Sequence, residues 1–213
     1  MFRKKIALIQ IILLLLILVG LFCLYQNIKN TAKIQDEALY LVNISGKQRV
    51  LAQRIVFLSQ VILANTLSKR DNHANFAEFR GCIMQLNSIH NVLKEFVVGQ
   101  ISKNSEFTTL DDMYFGKGNL DYKMEKFLQD ASRIFYSNDI QSIVMGNQEL
   151  LSMLEGDNGL LAVLELTTLS HQIYAQNSNK THTNKSNYLL LAILILAVGE
   201  FLLFFVKKRD IKA

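Results

Sequence analysis

The chain contains no proline and no tryptophan. Average usage would put proline near 5%. Proline fixes φ and removes an amide donor, so helix interiors exclude it. A chain without it is suited to long, uninterrupted helices. Strand signals are missing too, since no alternating β-branched runs are joined by an Asn-Gly turn. Cysteine is scarce: Cys23 and Cys82 are the only two. The first falls in a membrane-length apolar run and the second outside it, which excludes a disulfide scaffold. His73, His90, His171 and His182 show no ligand spacing with one another or with Cys82, so no metal site is expected. They read as solvated or core histidines. Asp111 and Asp112 are adjacent acids without a partnering base, and Gly116-Lys117-Gly118 lacks phosphate-loop spacing. No nucleophile–base constellation is visible. We therefore expect a non-enzyme without catalytic residues, metal or cofactor.

What is present lies first at the two ends. Ile6 to Leu24 is apolar except for Gln10, and Tyr188 to Val206 is apolar except for Glu200. Each run is about 19 residues, close to the roughly 20 that cross a bilayer core. Arg3, Lys4 and Lys5 precede the first, and Lys207, Lys208, Arg209 and Lys212 follow the second. The positive-inside rule then places both termini in the cytoplasm and the intervening domain outside. The formal charge of +5 reflects these flanks. It is no footprint for nucleic acid. The first run is longer than the apolar part of a signal peptide and has no A-x-A site after it, so it reads as an uncleaved anchor. Glu200 is an intramembrane charge; its ordinary reading is a contact with Gln10 or a reach toward Lys207, the alternative a contact with another protein's membrane helix.

Between the runs, hydrophobic spacing predicts an all-α fold, an antiparallel four-helix bundle whose first and last helices continue into the membrane. The expected parts are a cytoplasmic tail at 1–5, a first transmembrane helix at 6–26, and an external bundle at 27–187. A second transmembrane helix at 188–206 and a tail at 207–213 complete it. The first external helix runs to about Lys69, the second over about His73–Lys103, the third over about Leu120–Tyr136. A loop is expected around Asn104–Asn119, and Ser137-Asn138-Asp139 supplies a break and cap. The fourth helix starts near Ile140. Gly156-Asp157-Asn158-Gly159 resembles a loop. At about 1.5 Å per residue only the longer fourth helix matches the first, so these residues read as a local distortion. The polar stretch Asn177–Asn187 reads as a helical extension or a frayed stalk.

The first external helix carries two stripes. Leu41, Ile44, Leu51, Ile55, Leu58 and Ile62 form an ordinary core face, with Gln48 its one polar member. Ala38, Val42, Ser45, Arg49, Ala52, Val56, Ser59 and Leu63 form a second at strict 3-4 spacing. Arg49 and Leu51 lie about 200° apart on the wheel, which predicts that the second stripe faces away from the subunit's own core. It would then meet the same helix of a second copy in a two-fold dimer. Two arginines brought together there need a counter-charge, and a small oxyanion suits the guanidinium fork. Gly46 allows close backbone approach and Gln53 offers a further donor. The plainer alternative is that Arg49 snorkels to the edge and pairs with a carboxylate.

The same residues, Asn43-x-Ser45-Gly46-x-Gln48-Arg49-x-Leu51-x-Gln53-Arg54, resemble the signature of the type IV pili methyl-accepting chemotaxis transducer N-terminal domain, the PilJ-type sensor domain. They are also similar to the Asn-x-Ala-Gly-x-x-Arg pattern of the NarX/NarQ nitrate sensors. Tyr114-Phe115-Gly116 with Leu120-Asp121 resembles the family's second stretch. Val50 departs from the family, which usually has methionine there. The resemblance implies a periplasmic, dimeric four-helix sensor domain in the bacterial inner membrane. It places Arg49 at the nitrate-gripping arginine, Ser45 and Gly46 at the small residues before it, and Arg54 in a supporting role. Sensors of this kind continue into a transmitter region, for which the few residues after Val206 leave no room, so the expectation is a fragment, a chain that pairs with a full-length receptor, or one that has lost signalling. The expected partners are therefore a nitrate-like anion, a second copy, the lipid bilayer, and a full-length receptor or kinase in trans. The alternative is a ligand-free assembly or regulatory subunit of a receptor or envelope complex.

Overall fold

The computed structural model describes residues 2–101, 108–137, 139–156 and 158–212, with side chains for 7–100, 109–137, 139–156 and 158–205. Six helices make up the described residues, which contain no strand. They are α1 (Phe2–Leu67), α2 (His73–Ile101), α3 (Thr108–Tyr114), α4 (Leu120–Tyr136), α5 (Ile140–Leu154) and α6 (Leu160–Lys212). The chain divides into two compact units, one of residues 1–37 with 175–213 and one of residues 38–174.

The first unit is a pair of helices long and apolar enough to cross a membrane. Mean hydropathy reaches 3.1 in α1 and 2.6 in α6, and almost none of either window is buried within the protein. A soluble core helix would be covered by its neighbours. Here Leu8, Ile11, Leu15, Phe22, Leu194 and Phe201 are bare, which suits lipid as their solvent. The two helices meet along shielded positions at 3-4 spacing, Leu13, Ile17, Gly20, Leu24 and Asn27 on one side and Ser186, Leu189, Ile193, Leu196 and Glu200 on the other. Asn27 donates to the Ser186 hydroxyl at 2.8 Å, and a Cβ on Gly20 would come within 2.9 Å of Ile193 Cγ1. Glu200 thus lies on the inner seam, where its Oε2 is buried without a hydrogen-bond partner. The stretch 177–187 is helical, part of α6. The flanking cations at 3–5 and 207–212 lie outside the described side chains.

In the second unit α2 packs along α4, α4 along α5, and α3 against both α2 and α4. Ile55, Ile62, Phe79, Leu86, Leu93, Met124, Phe127, Ile134, Leu150 and Leu164 form its core. Each such side chain contributes about 1.5–3 kcal/mol by leaving water. Aspartate side chains accept from backbone amides at two helix starts, of which the sequence predicts the one at Asp139. Asp139 accepts from the Ser142 amide at 2.7 Å, and Asp71 accepts from the His73 amide at 3.1 Å; Asn138 lies outside the described residues. The expected loop around 104–119 contains the extra short helix α3, and residues 102–107 lie outside the described residues.

The fourth helix is not a single distorted one. It ends at Leu154 and restarts at Leu160. Glu155 is extended and Gly156 takes φ +98°, a left-handed value that costs an L side chain strain. A Cβ on Gly159 would fall 2.4 Å from the Glu155 carbonyl oxygen. Asp157 lies outside the described residues. The length argument survives in another form. Asn147 of α5 meets Ser59 and Thr168 of α6 meets Ser45, so the two pieces follow one another along α1.

The two stripes of α1 also need correction. Ala52, Val56 and Ser59 of the second stripe are as buried as the first, and inside the same chain. The pair Arg49 and Leu51 overstates the separation. Averaged over all members, the stripes are only about 100° apart at 100° per residue. One meets α2, where Gln48 reaches His90, and the other meets α5 and α6. The face that α1 leaves bare is a third one: Leu39, Asn43, Val50, Gln53, Phe57, Gln60 and Ala64, with the half-buried Gly46 between them, again at 3-4 spacing.

Replacing Gly156 or Gly159 by alanine should cost about 1 kcal/mol or more. A thermal melt of the full chain in detergent would show a Tm lowered by a few degrees; an unchanged Tm in both variants would contradict the tight turn.

Candidate functional site

Four of the five expected site residues stand near the bare face of α1. Gly46 has nothing within 4 Å of where its Cβ would be, so a neighbour can approach its backbone. Gln53 is exposed one turn beyond Arg49. Arg49 lies at the edge between the second stripe and the bare face, and its Nη1 is 3.5 Å from Glu165 Oε1. Both side chains are open, at 45% and 68% exposure, so this ion pair is worth about 0–1 kcal/mol. The carboxylate pairing weighed for Arg49 is therefore present in the single chain, and it is weak enough to exchange. Arg54 donates twice to Glu78, from Nε at 2.9 Å and Nη2 at 2.5 Å, with its guanidinium 5.4 Å from the Phe57 ring centre.

Ser45 is the exception. It is fully buried and shares a 3.0 Å hydrogen bond with Thr168. Its small size lets α6 lie close to α1, but its hydroxyl faces the interior. The charge pattern of the helix is one-sided. From Ala38 to Leu67, α1 contains Lys47, Arg49 and Arg54 and no acidic residue. The acids that balance two of them, Glu165 and Glu78, come from α6 and α2.

A second constellation joins His90 and His171, which the sequence presents as solvated or core histidines, to Tyr114 and Asp121 of the second family-like stretch. His90 is buried on α2, and its Nε2 is 3.0 Å from Asp121 Oδ1 on α4. Lys94 Nζ lies 2.7 Å from the other oxygen of Asp121 and 3.5 Å from Glu125. On its far side His90 Nδ1 is 3.3 Å from Gln48 Nε2. The Tyr114 ring stacks on His90 at 6.0 Å and 15°, and the Tyr114 hydroxyl is 3.4 Å from His171 Nε2. Burial lowers the His90 pKa, partly offset by Asp121. Burial also opposes the Asp121 charge, but Lys94 and His90 outweigh it and hold the carboxyl below its usual range. The same hydrogen bond raises Lys94. Burial raises the Tyr114 phenol and pushes His171 down to about 4. The sequence held one clue: Gln48 is the lone polar residue in the core stripe, and a buried amide needs partners. Nothing near it in sequence identifies His90 as that partner.

Among the described residues no group of three or more His, Cys, Asp or Glu is arranged to hold a metal ion. No family model, no curated protein and no solved structure matches the chain.

The folded state holds His171 neutral, so unfolding takes up a proton as the pH falls. Its contribution is fully present above the unfolded value of about 6.5 and is lost as the pH drops toward about 4. The loss amounts to about 3 kcal/mol. His171→Gln should flatten that part of the profile when stability of the full chain is measured from about pH 7 to about pH 4. A variant profile parallel to wild type would show that His171 is not the group responsible.

Proposed function

We propose that the protein is a membrane-anchored sensory subunit of the PilJ-type and nitrate-sensor class. In this reading its second unit is a four-helix bundle on the periplasmic side of a bacterial inner membrane. Two copies pack through the bare face of α1 and hold a small oxyanion between them. The observation that carries the reading is the acid-free, cationic stretch of α1 from Ala38 to Leu67, with Gly46, Arg49 and Gln53 together beside an unpartnered 3-4 stripe. Gly46 lets the two α1 backbones approach. Arg49 exchanges its weak pair with Glu165 for a bidentate hydrogen bond to the anion, and the second Arg49 does the same from the other copy. Gln53 donates one turn away. Arg54, anchored to Glu78, supplies positive potential without leaving its partner.

The dimer seam in this proposal is displaced by one residue from the one expected from the sequence. It uses Leu39, Val50 and Phe57 as apolar anchors, all more than half exposed in the single chain. Arg49 flanks this seam and stays accessible.

The test uses the full chain in neutral-lipid nanodiscs, with nitrate, nitrite, sulfate, phosphate and chloride compared by thermal shift and calorimetry. One anion should stabilise saturably. Arg49→Ala should abolish the effect with the fold intact, and Glu165→Gln, which frees Arg49, should tighten binding by about two- to threefold. Undiminished affinity in Arg49→Ala would sink the proposal. Absence of any anion effect on a well-folded protein would favour the assembly-subunit reading. Separately, Phe57→Glu should convert a dimer to a monomer in sedimentation of the detergent-solubilised chain; an unchanged mass would move the interface elsewhere.

A further inference from the structure

Gln48 Oε1 is buried and has no hydrogen-bond partner, although the amide nitrogen of the same side chain is engaged with His90. An orphaned acceptor in a core is destabilising, because it has lost its water without gaining a donor. Turning the amide over would bring Oε1 to His90 instead, so which end faces the ring depends on whether Nδ1 accepts or donates. The protonation state of His90 decides that.

We propose that Gln48, His90, Asp121 and Lys94 form a proton-sensing latch, in which one proton taken up at His90 Nδ1 reverses the Gln48 amide and tightens the tie between α1 and α4. The inference needs neither an anion nor a second copy, and it stands apart from the function proposed above.

The tautomer of neutral His90 follows from its neighbours. Nε2 faces a carboxylate oxygen at 3.0 Å and must carry the hydrogen. Nδ1 then holds the lone pair and accepts from the Gln48 amide nitrogen at 3.3 Å. The other tautomer would set a lone pair against Asp121 and an N–H against an NH2 group, two repulsions at once. In the imidazolium both ring nitrogens donate, so the Gln48 NH2 group can no longer face Nδ1. Rotating the amide by half a turn puts the free Oε1 there. The new bond is charge-assisted, which outweighs moving the neutral NH2 group to the side where Oε1 had no partner, and the bond to Asp121 gains an ionic component.

The groups facing the ring set the direction of the response. From α4, Asp121 and Glu125 favour the charged ring; on α2 itself, Lys94 opposes it. α3 presents the face of Tyr114, and α1 presents only the uncharged Gln48. α6 reaches this group through His171, which meets Tyr114 and not His90. Burial opposes the charge most strongly, so the ring stays neutral at neutral pH and the latch works on the acid side. Gln48 is adjacent to Arg49, so a proton bound in the core acts on the helix that carries the exposed cationic face.

The experiment is a titration of the full chain in nanodiscs, with isotope-labelled histidine and glutamine, followed by NMR from about pH 8 to about pH 4.5. Assignment rests on His90→Gln and Gln48→Leu. At the high end His90 should show the Nε2–H tautomer, and the Gln48 side-chain amide should shift with the same midpoint as the His90 ring. Gln48→Glu should raise that midpoint, and Gln48→Leu, which removes the acceptor, should lower it, each by about one pKa unit. An Nδ1–H tautomer at neutral pH would overturn the latch. So would a Gln48 amide that ignores the His90 titration, or a midpoint unmoved in Gln48→Glu. Should Gln48→Leu fail to fold, the wild-type amide signals and Gln48→Glu decide the matter alone.

Discussion

The second unit depends on the width of the buried arc of α1. Two apolar stripes set about 100° apart make this helix a wall shared by α2 on one side and by α5 and α6 on the other. A narrower stripe would leave α1 as an edge helix. The wide one lets a single element organise the rest, and it leaves a bare line of residues at 3-4 spacing with Lys47 and Arg54 exposed beside it. Gly46, Arg49 and Gln53 stand on or beside that line.

Small polar residues make the wall fit. Ser45, Ser59, Thr167 and Asn147 are buried, and their hydroxyl and amide groups are paired between helices or with the carbonyl one turn earlier. Such pairs add little net stability, about 1 kcal/mol each, but they penalise any slip of one helix past another. The charged cluster around Asp121 acts in the same way at the level of α3. It ties the start of α4 to the middle of α2, and Tyr114 closes over it. Electrostatics in this unit thus has two settings. One is an exposed helix face on which the Arg49–Glu165 pair exchanges with solvent, and the other is a core cluster whose proton positions are fixed by its neighbours.

Local patterns made much of this legible. The missing proline, the two apolar ends, the cap at Asp139 and the periodicity of Phe79, Leu86 and Leu93 all correspond to features of the folded chain. So does the expectation that α1 has two packing faces. What failed was the assignment of those faces. The angle between one chosen pair, Arg49 and Leu51, stood in for the angle between two stripes. The break at 155–159 failed for a related reason. Length alone required a helical path beside α1, and two helices laid in succession satisfy it as well as one.

The sequence by itself determined the helical class, the two membrane-length spans and the approximate ends of most helices, because each depends on spacing within one segment. Only the tertiary structure decided which stripe is covered and by what. It alone placed Glu165 beside Arg49, and His90 between Gln48 and Asp121. These pairs join residues far apart in the chain, and their meeting depends on how whole helices rotate and stagger against one another. Periodicity within a helix records that it has a buried side; the partner on that side is set by the packing of all the helices at once.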